Sequence, residues 1–412
     1  MNITGIIAEY NPFHNGHLYQ IETSKKILNS DFIVVVMSGN FTQRGEAAVK
    51  DKFTRANMAL KNGADLVLEL PLPFATASAE RFARGSIALL KHTGIVNNVS
   101  FGSEHGSIST LKTIANCLNN PSANFNTVLK SNLKEGLSFP KSRELAILSQ
   151  LNESNPSISI IDLTKIIQSP NNILGIEYLR AIDHLNATIQ PFTIERLSAG
   201  YHDLKVHDNI ASATAIRSIY HSGDNTSIAS CMPSSSYTLF TNTTYTSPNM
   251  NLLMPFLHHK FMFSSQSDLY SIWDIPKDLI NTFTKYTLHE SSFEDLVIRC
   301  TSKTYSSSTV RRSLLRILLD IKHNDIVSLD TLELIPYIRV LGCKKDSSIL
   351  LKQLIDHSTR PVITNFKSYI NNSDLLTDKF LLYDIDATKL YHYLTGNLSL
   401  INQDFTQPFL MV

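Results

Sequence analysis

Short runs of β-branched and other apolar residues begin near residues 3 (ITGIIA), 32 (FIVVVM), 64 (ADLVLEL) and 96 (VNNVSF), about thirty residues apart. That is the length of one βα unit. Between the runs the apolar spacing becomes helical. Segment 17–28 carries Leu18, Ile21, Ile27 and Leu28; segment 52–63 closes on Gly63; segment 77–94 runs from Ser78, a candidate N-cap, to Gly94, a candidate C-cap. The strands lack strict alternation, so both of their faces are expected to be covered, as in a parallel α/β sheet. Such sheets bind ligands at the carboxyl ends of their strands, where the first βα loop opens a helix.

Further along, 107–185 reads as mostly helical and includes a helix over 174–185, TIQPFTIER at 188–196 reads as another strand, and SATAIRSIYHSG at 212–223 as a short helix. The stretch 222–251 is rich in Ser, Thr and Asn without an amphipathic period, which suggests a connection between domains. Helical spacing returns at 308–323 and 347–357. The expected organisation is a catalytic domain over 1–225, a connection over 226–250 and a mostly α-helical domain over 251–412, with no internal repeat beyond the βα period.

Length agrees with this division, since 412 residues exceed one core at roughly 100–200 residues per domain. Charge changes the picture little: 37 Lys and Arg stand against 36 Asp and Glu, so any nucleic-acid partner must be read from local patches. The start MNITGII has no basic leader, and the longest apolar runs fall far short of the ~20 residues that span a bilayer. A cytoplasmic protein with no membrane partner is expected, its oligomeric state left open. Cys117, Cys231, Cys300 and Cys343 are too widely spaced for a zinc knuckle or redox pair and read as packing residues.

The candidate chemistry lies at His14-Asn15-Gly16-His17, after the first strand and at the start of the first helix. A helix start carries unpaired N–H groups and the positive end of the macrodipole, which suit an anion. Gly16 allows close backbone approach and Pro12 stiffens the loop. His14 and His17, three apart, share a face and can both donate to phosphate oxygens as charge builds in a phosphoryl or nucleotidyl transfer. Core histidines or a metal pair are the plainer readings of a lone His-x-x-His.

The motif resembles that of the HxGH nucleotidyltransferase superfamily. With SGNFTQRGE (38–46), DKFTRA (51–56), GADLVLELP (63–71), SAERFARG (78–85), FGSE (101–104), SPNNILGIEYLRA (169–181) and ASATAIR (211–217), AEYNPFHNGH (8–17) is similar to the tRNA(Met) cytidine acetate ligase family. The resemblance implies a Rossmann-like nucleotidyltransferase domain followed by a mostly helical one. It implies an enzyme that converts ATP and acetate into acetyl adenylate, then acetylates N4 of the wobble cytidine of elongator tRNA(Met) to N4-acetylcytidine. Mg²⁺ is expected to travel with the nucleotide, because no dedicated carboxylate cage is visible.

Carried over by position, Ile7, Ala8, Glu9, Tyr10, Asn11, Pro12, Phe13, His14, Asn15, Gly16, His17, Leu18, Tyr19 and Gln20 would wrap the ATP, with His14 and His17 catalytic on its phosphates. Gly102, Asn171 or Asn172, and Arg196 resemble later nucleotide contacts. Ser212, Thr214 and Arg217 resemble a phosphate-binding helix start, with Ala213 where the wider motif often has a second hydroxyl. Gln43, Arg44, Lys52 and Arg55 form a group expected to face acetate, pyrophosphate or RNA, although Arg55, like Arg81 and Arg84, could simply solvate a helix face. Lys303, Arg311, Arg312 and Arg316 against Asp320 suggest phosphate contacts for tRNA, or else the solvated face of an amphipathic helix. Two other readings stay open: a small-molecule adenylyltransferase, or a non-catalytic RNA-binding protein on the same scaffold.

Overall fold

The computed structural model describes residues 1–154, 159–196, 211–242, 246–330, 335–369 and 375–412. Among them, β1 (Ile3–Ala8), β2 (Phe32–Ser38), β3 (Leu66–Leu70), β4 (Asn98–Ser103), β5 (Gln190–Glu195), β6 (Ile338–Cys343), β7 (Val362–Ile363) and β8 (Leu410–Met411) build one sheet. Its order is β5-β4-β1-β2-β3-β6-β7, with β8 also on β6. The strands β1 to β5 are parallel, so their carboxyl ends share one edge; β6 runs antiparallel to β3, while β7 and β8 run parallel to β6.

Alternate residues feed two cores. Ile3, Ile7, Val34, Val36, Leu66 and Leu68 face one, and Ile6, Ile33, Val35, Met37 and Val67 face the other. This explains the continuous apolar runs: each such side chain removed from water contributes about 1.5–3 kcal/mol, and neither face is left to solvent. The strand β1 lies between β2 and β4, with Ile6 opposite both Val35 and Ser100. The first βα loop is thereby central on the carboxyl edge.

The carboxyl-terminal part is mainly helical, yet it also supplies β6, β7 and β8 to this sheet. IRVLGC is buried throughout and as long as ITGIIA, but it stands outside the thirty-residue βα spacing, and a lone apolar run has no period to separate a strand from a buried helix. The stretch expected as a connection is also structured where described, with helices at Asn225–Ile228 and Ser234–Thr241. Ile228, Cys231 and Phe240 are fully buried in the second core. Three apolar anchors among hydroxyl and amide side chains are too few to give an amphipathic signal.

A buried ionic cluster ties that part to the sheet. Lys52, at the start of α2 (Lys52–Lys61), lies 2.8 Å from both Glu69 and Asp404, and Arg339 lies 2.9 Å from Glu69 and 2.7 Å from Asp404. Two cations thus balance two carboxylates drawn from α2, β3, β6 and the Gln403–Thr406 turn. Burial alone would raise the Asp404 carboxyl, but Arg339 and Lys52 hold it down at about 2.

Candidate active site

Helix α1 (Asn15–Leu28) begins where the loop after β1 ends. His14 is its N-cap: backbone φ −139° is extended, and Gly16 N–H donates to His14 Nδ1 at 3.1 Å. His17 reaches back, accepting His14 N–H on its own Nδ1 at 3.2 Å. The pair forms a capping box built from imidazoles instead of a hydroxyl and a carboxylate. The rings stack with centroids 3.7 Å apart. A Cβ at position 16 would fall 2.9 Å from His14 Cε1, so the stack requires glycine there.

These hydrogen bonds assign the tautomers. Both Nδ1 atoms accept, so each neutral ring carries its proton on Nε2, and both residues line the cavity beside the helix start. Burial first, then the neighbouring Arg196 and Arg217, pulls His14 down to about 3; burial, His14 and Arg196 hold His17 well below the usual histidine range. Near neutral pH the site therefore offers two neutral Nε2–H donors. At the helix start Gly16 N–H is taken by His14 Nδ1 and His17 N–H by His14 O, so these two amides are engaged within the turn.

The cavity, about 380 Å³, lies over the carboxyl ends of β1 and β4. Arg44, Arg196 and Arg217 line it with the two histidines, while Ile7, Ala79, Phe82, Phe101, Leu174 and Tyr178 form an apolar wall. A smaller recess of about 40 Å³, lined by Gly16, Tyr19 and Glu195, shares His14, His17, Gln20, Gly102, Arg196 and Ser212 with it. A lining that combines cationic and histidine side chains with aromatic and aliphatic ones suits a phosphorylated aromatic ligand.

Sixteen of the residues singled out from sequence line the main cavity: Ile7, Ala8, Glu9, Tyr10, Asn11, His14, His17, Gln20, Gln43, Arg44, Gly102, Asn171, Arg196, Ser212, Thr214 and Arg217. The two asparagines separate. Asn171 faces the cavity; Asn172 is 1 % exposed and accepts Glu104 N–H at 2.9 Å, while Glu104 returns its carboxylate to Asn171 N–H and Asn172 N–H at the start of the Pro170–His184 helix. Asn172 is thus a positioning residue for that helix. Ser212 Oγ accepts Ala215 N–H at 3.1 Å as N-cap of Ala213–His221, and Arg217 donates to Asn11 O at 2.7 Å.

Several expectations are corrected. Phe13 is buried in the second core and Leu18 packs on it; Asn15 Nδ2 donates to Ser230 O at 2.8 Å, away from the main cavity. Lys52 and Arg55 are fully buried and line neither the main cavity nor the recess. Lys52 belongs to the ionic cluster, and Arg55 donates to the carbonyls of Glu9, Ser38, Gly39 and Lys50, stitching the ends of β1 and β2 together. On the basic helix Ser307–Leu318, Arg316 is 2 % exposed, bonded to Asp274 and stacked over Trp273. Arg311 pairs with Glu294 at 2.5 Å, and Arg312 donates to Gln43 O at 3.2 Å. The helix grips the Gln43 loop, and of the four cations only Lys303 is exposed. Sequence reading missed the apolar wall, because Phe82 and Leu174 carry no mark that separates a ligand wall from a core.

Fold and cavity together define a nucleotide site of the nucleotidyltransferase class: a parallel sheet whose first βα loop presents paired histidines at a helix start. A family model described as HIGH Nucleotidyl Transferase matches residues 1–405. The chain is 40 % identical to tRNA(Met) cytidine acetate ligase of Clostridium perfringens over 98 % of both chains, and 36 % identical to that of Clostridium novyi over 99 % of both. Thermotoga maritima TmcAL matches over the full length of both chains, with TM-score 0.92 and 30 % identity in its apo form, and 0.90 and 29 % bound with alpha-thio ATP. The chain belongs to the tRNA(Met) cytidine acetate ligase family of HIGH nucleotidyl transferases.

Proposed function

We infer that this chain acts as a tRNA(Met) cytidine acetate ligase, with ATP, acetate and elongator tRNA(Met) as substrates. The observation that carries the reading is the stacked His14–His17 pair, which lines a cavity at the carboxyl edge of a parallel sheet. The nucleotide's phosphates lie over that pair and near Arg196 and Arg217, and its base against the apolar wall. Acetate is ionised near neutral pH and needs positioning more than a base. Its oxygen bonds to the α-phosphorus, pyrophosphate leaves, and the histidine donors stabilise the charge that shifts onto the phosphate oxygens. The acetyl group then passes from adenylate to the cytidine 4-amine. An activated anhydride suits that amine, whose lone pair is delocalised into the ring.

Magnesium is proposed to arrive with ATP, held by phosphate oxygens; among the described residues no three His, Cys, Asp or Glu side chains group to hold an ion. A cytoplasmic setting follows from these substrates, and among the described residues no helix is long and apolar enough to cross a membrane. Lys303 remains the candidate from the basic segment for a tRNA phosphate contact. The test is incubation with ATP, labelled acetate and bulk tRNA, followed by nucleoside analysis. Label in N4-acetylcytidine is the expected result; ATP turnover with a soluble acceptor and no label in RNA contradicts it.

A further inference from the structure

Glu9 follows β1 and lines the cavity with the histidines. Its Oε1 accepts Gln43 N–H at 2.6 Å; among the described residues no hydrogen bond or ion pair reaches Oε2. A carboxylate is out of place in a pocket that takes a triphosphate and acetate, both of which it repels. Its use must lie with a ligand group that brings a proton, and the chemistry proposed above contains one such step. The cytidine 4-amine has to lose a proton as it becomes an amide.

We propose that Glu9 is the general base of the transfer step, its free Oε2 taking the proton from the cytidine 4-amine as that nitrogen attacks the acetyl carbonyl. The N4–C bond forms, the bond from the acetyl carbon to the phosphate oxygen breaks, and AMP leaves with that electron pair. The amine proton resides on Glu9 until solvent removes it. This inference rests on the ligase reading.

The surroundings suit such a base. Burial raises the Glu9 carboxyl above the usual range, against the lowering effects of Gln43 N–H, Arg55 on α2, Arg217 on Ala213–His221 and Arg44 on the loop after β2. Tyr178 on the Pro170–His184 helix faces the same charge, which adds to the burial that raises its phenol. His14, His17 and Arg196 complete the charged and titratable lining on that side, and Glu46 lies on the Gln43 loop. A raised carboxyl is a stronger base, closer to the working pH. The loop that holds it is gripped from the carboxyl-terminal part, since Arg312 donates to Gln43 O while Gln43 N–H donates to Glu9. The base therefore sits where the two parts of the chain meet.

The experiment supplies acetyl adenylate and tRNA to wild type and Glu9→Gln, and measures acetyl transfer against pH. Pyrophosphate exchange with ATP and acetate is measured in parallel. Glutamine keeps an acceptor for Gln43 N–H but cannot take a proton. Transfer by Glu9→Gln is expected to fall about 10²–10⁴-fold, far more than exchange does. Wild-type transfer should decline as pH falls through a carboxyl range set above that of ordinary glutamates, and the variant should lose this limb. An equal fall in both half-reactions, or a wild-type profile without that acid limb, overturns the proposal; the profile serves even where the variant folds poorly. Wild type that acetylates while Glu9→Gln keeps pace refutes this inference alone. Wild type that fails to acetylate the tRNA refutes the ligase reading with it.

Discussion

The helices α1 and α2 start alike and end up with opposite uses. Each follows a parallel strand at the carboxyl edge, and each is capped by a side chain, His14 on Gly16 N–H and Asp51 on Phe53 N–H and Thr54 N–H. Beside α1 the first turn opens on a cavity, so its polar groups keep hydrogen bonds to give. The first turn of α2 is covered by the carboxyl-terminal part: Gln403 donates to Asp51 at 3.2 Å, and Lys52 is closed into the cluster with Glu69, Arg339 and Asp404. Strand order makes both positions eligible for a ligand. What decides between them is whether a later segment of the same chain occupies the space.

Substitutions can break this contrast, and the largest effect is expected on the covered side. Lys52→Ala leaves two buried carboxylates against one arginine, which should cost about 3–5 kcal/mol of stability, read as a lower denaturant midpoint. On the open side His14→Asn keeps a good N-cap and removes the imidazole. Acetyl-adenylate formation should fall about 10²–10³-fold, or about 2.7–4 kcal/mol of transition-state stabilisation, while stability falls far less than in Lys52→Ala, because the cap is kept. Arg312→Ala, between the two sides, gives up a charged hydrogen bond to Gln43 O. A loss of about 1.5 kcal/mol is expected, with acetyl transfer slowed more than adenylate formation, because the same loop holds Glu9 through Gln43 N–H.

The last effect is a pH dependence. His14 and His17 are held neutral in the fold by lowered pKa values and titrate near 6.5 when unfolded. The unfolded chain therefore binds more protons as pH drops below about 6.5, and stability falls with it, by at most about 1.4 kcal/mol per pH unit for each histidine. For His14 the loss continues down to its folded value of about 3. Denaturant midpoints measured against pH should show a shallower acid slope in His14→Asn than in wild type.

The parallel sheet was legible in the sequence because its strands are long apolar runs at a fixed spacing, each followed by a helix with punctuating caps. The histidine pair was legible because it falls at one such junction. The strands β6, β7 and β8 were not: β6 is as long as β1 but stands outside the thirty-residue βα spacing, and β7 and β8 are two residues each. Nor was the fate of the cations: in sequence Arg55 and Arg316 look like Arg44, and only the tertiary fold buries the first two against carbonyls, Asp274 and Trp273 while leaving Arg44 on the cavity. Asn171 and Asn172, adjacent in the chain, are separated by the helical rotation between them, which turns one to the ligand space and the other into the Glu104 loop.

The central claim, that the α1 start activates acetate on ATP, is tested most directly by acetate-dependent exchange of labelled pyrophosphate into ATP. Wild type, His14→Asn and His17→Gln are compared at matched folded fractions; glutamine at position 17 restores the ordinary capping box. Exchange in wild type with a loss of at least about a hundredfold in both variants is the predicted result. Wild-type exchange rates in either folded variant would contradict the account.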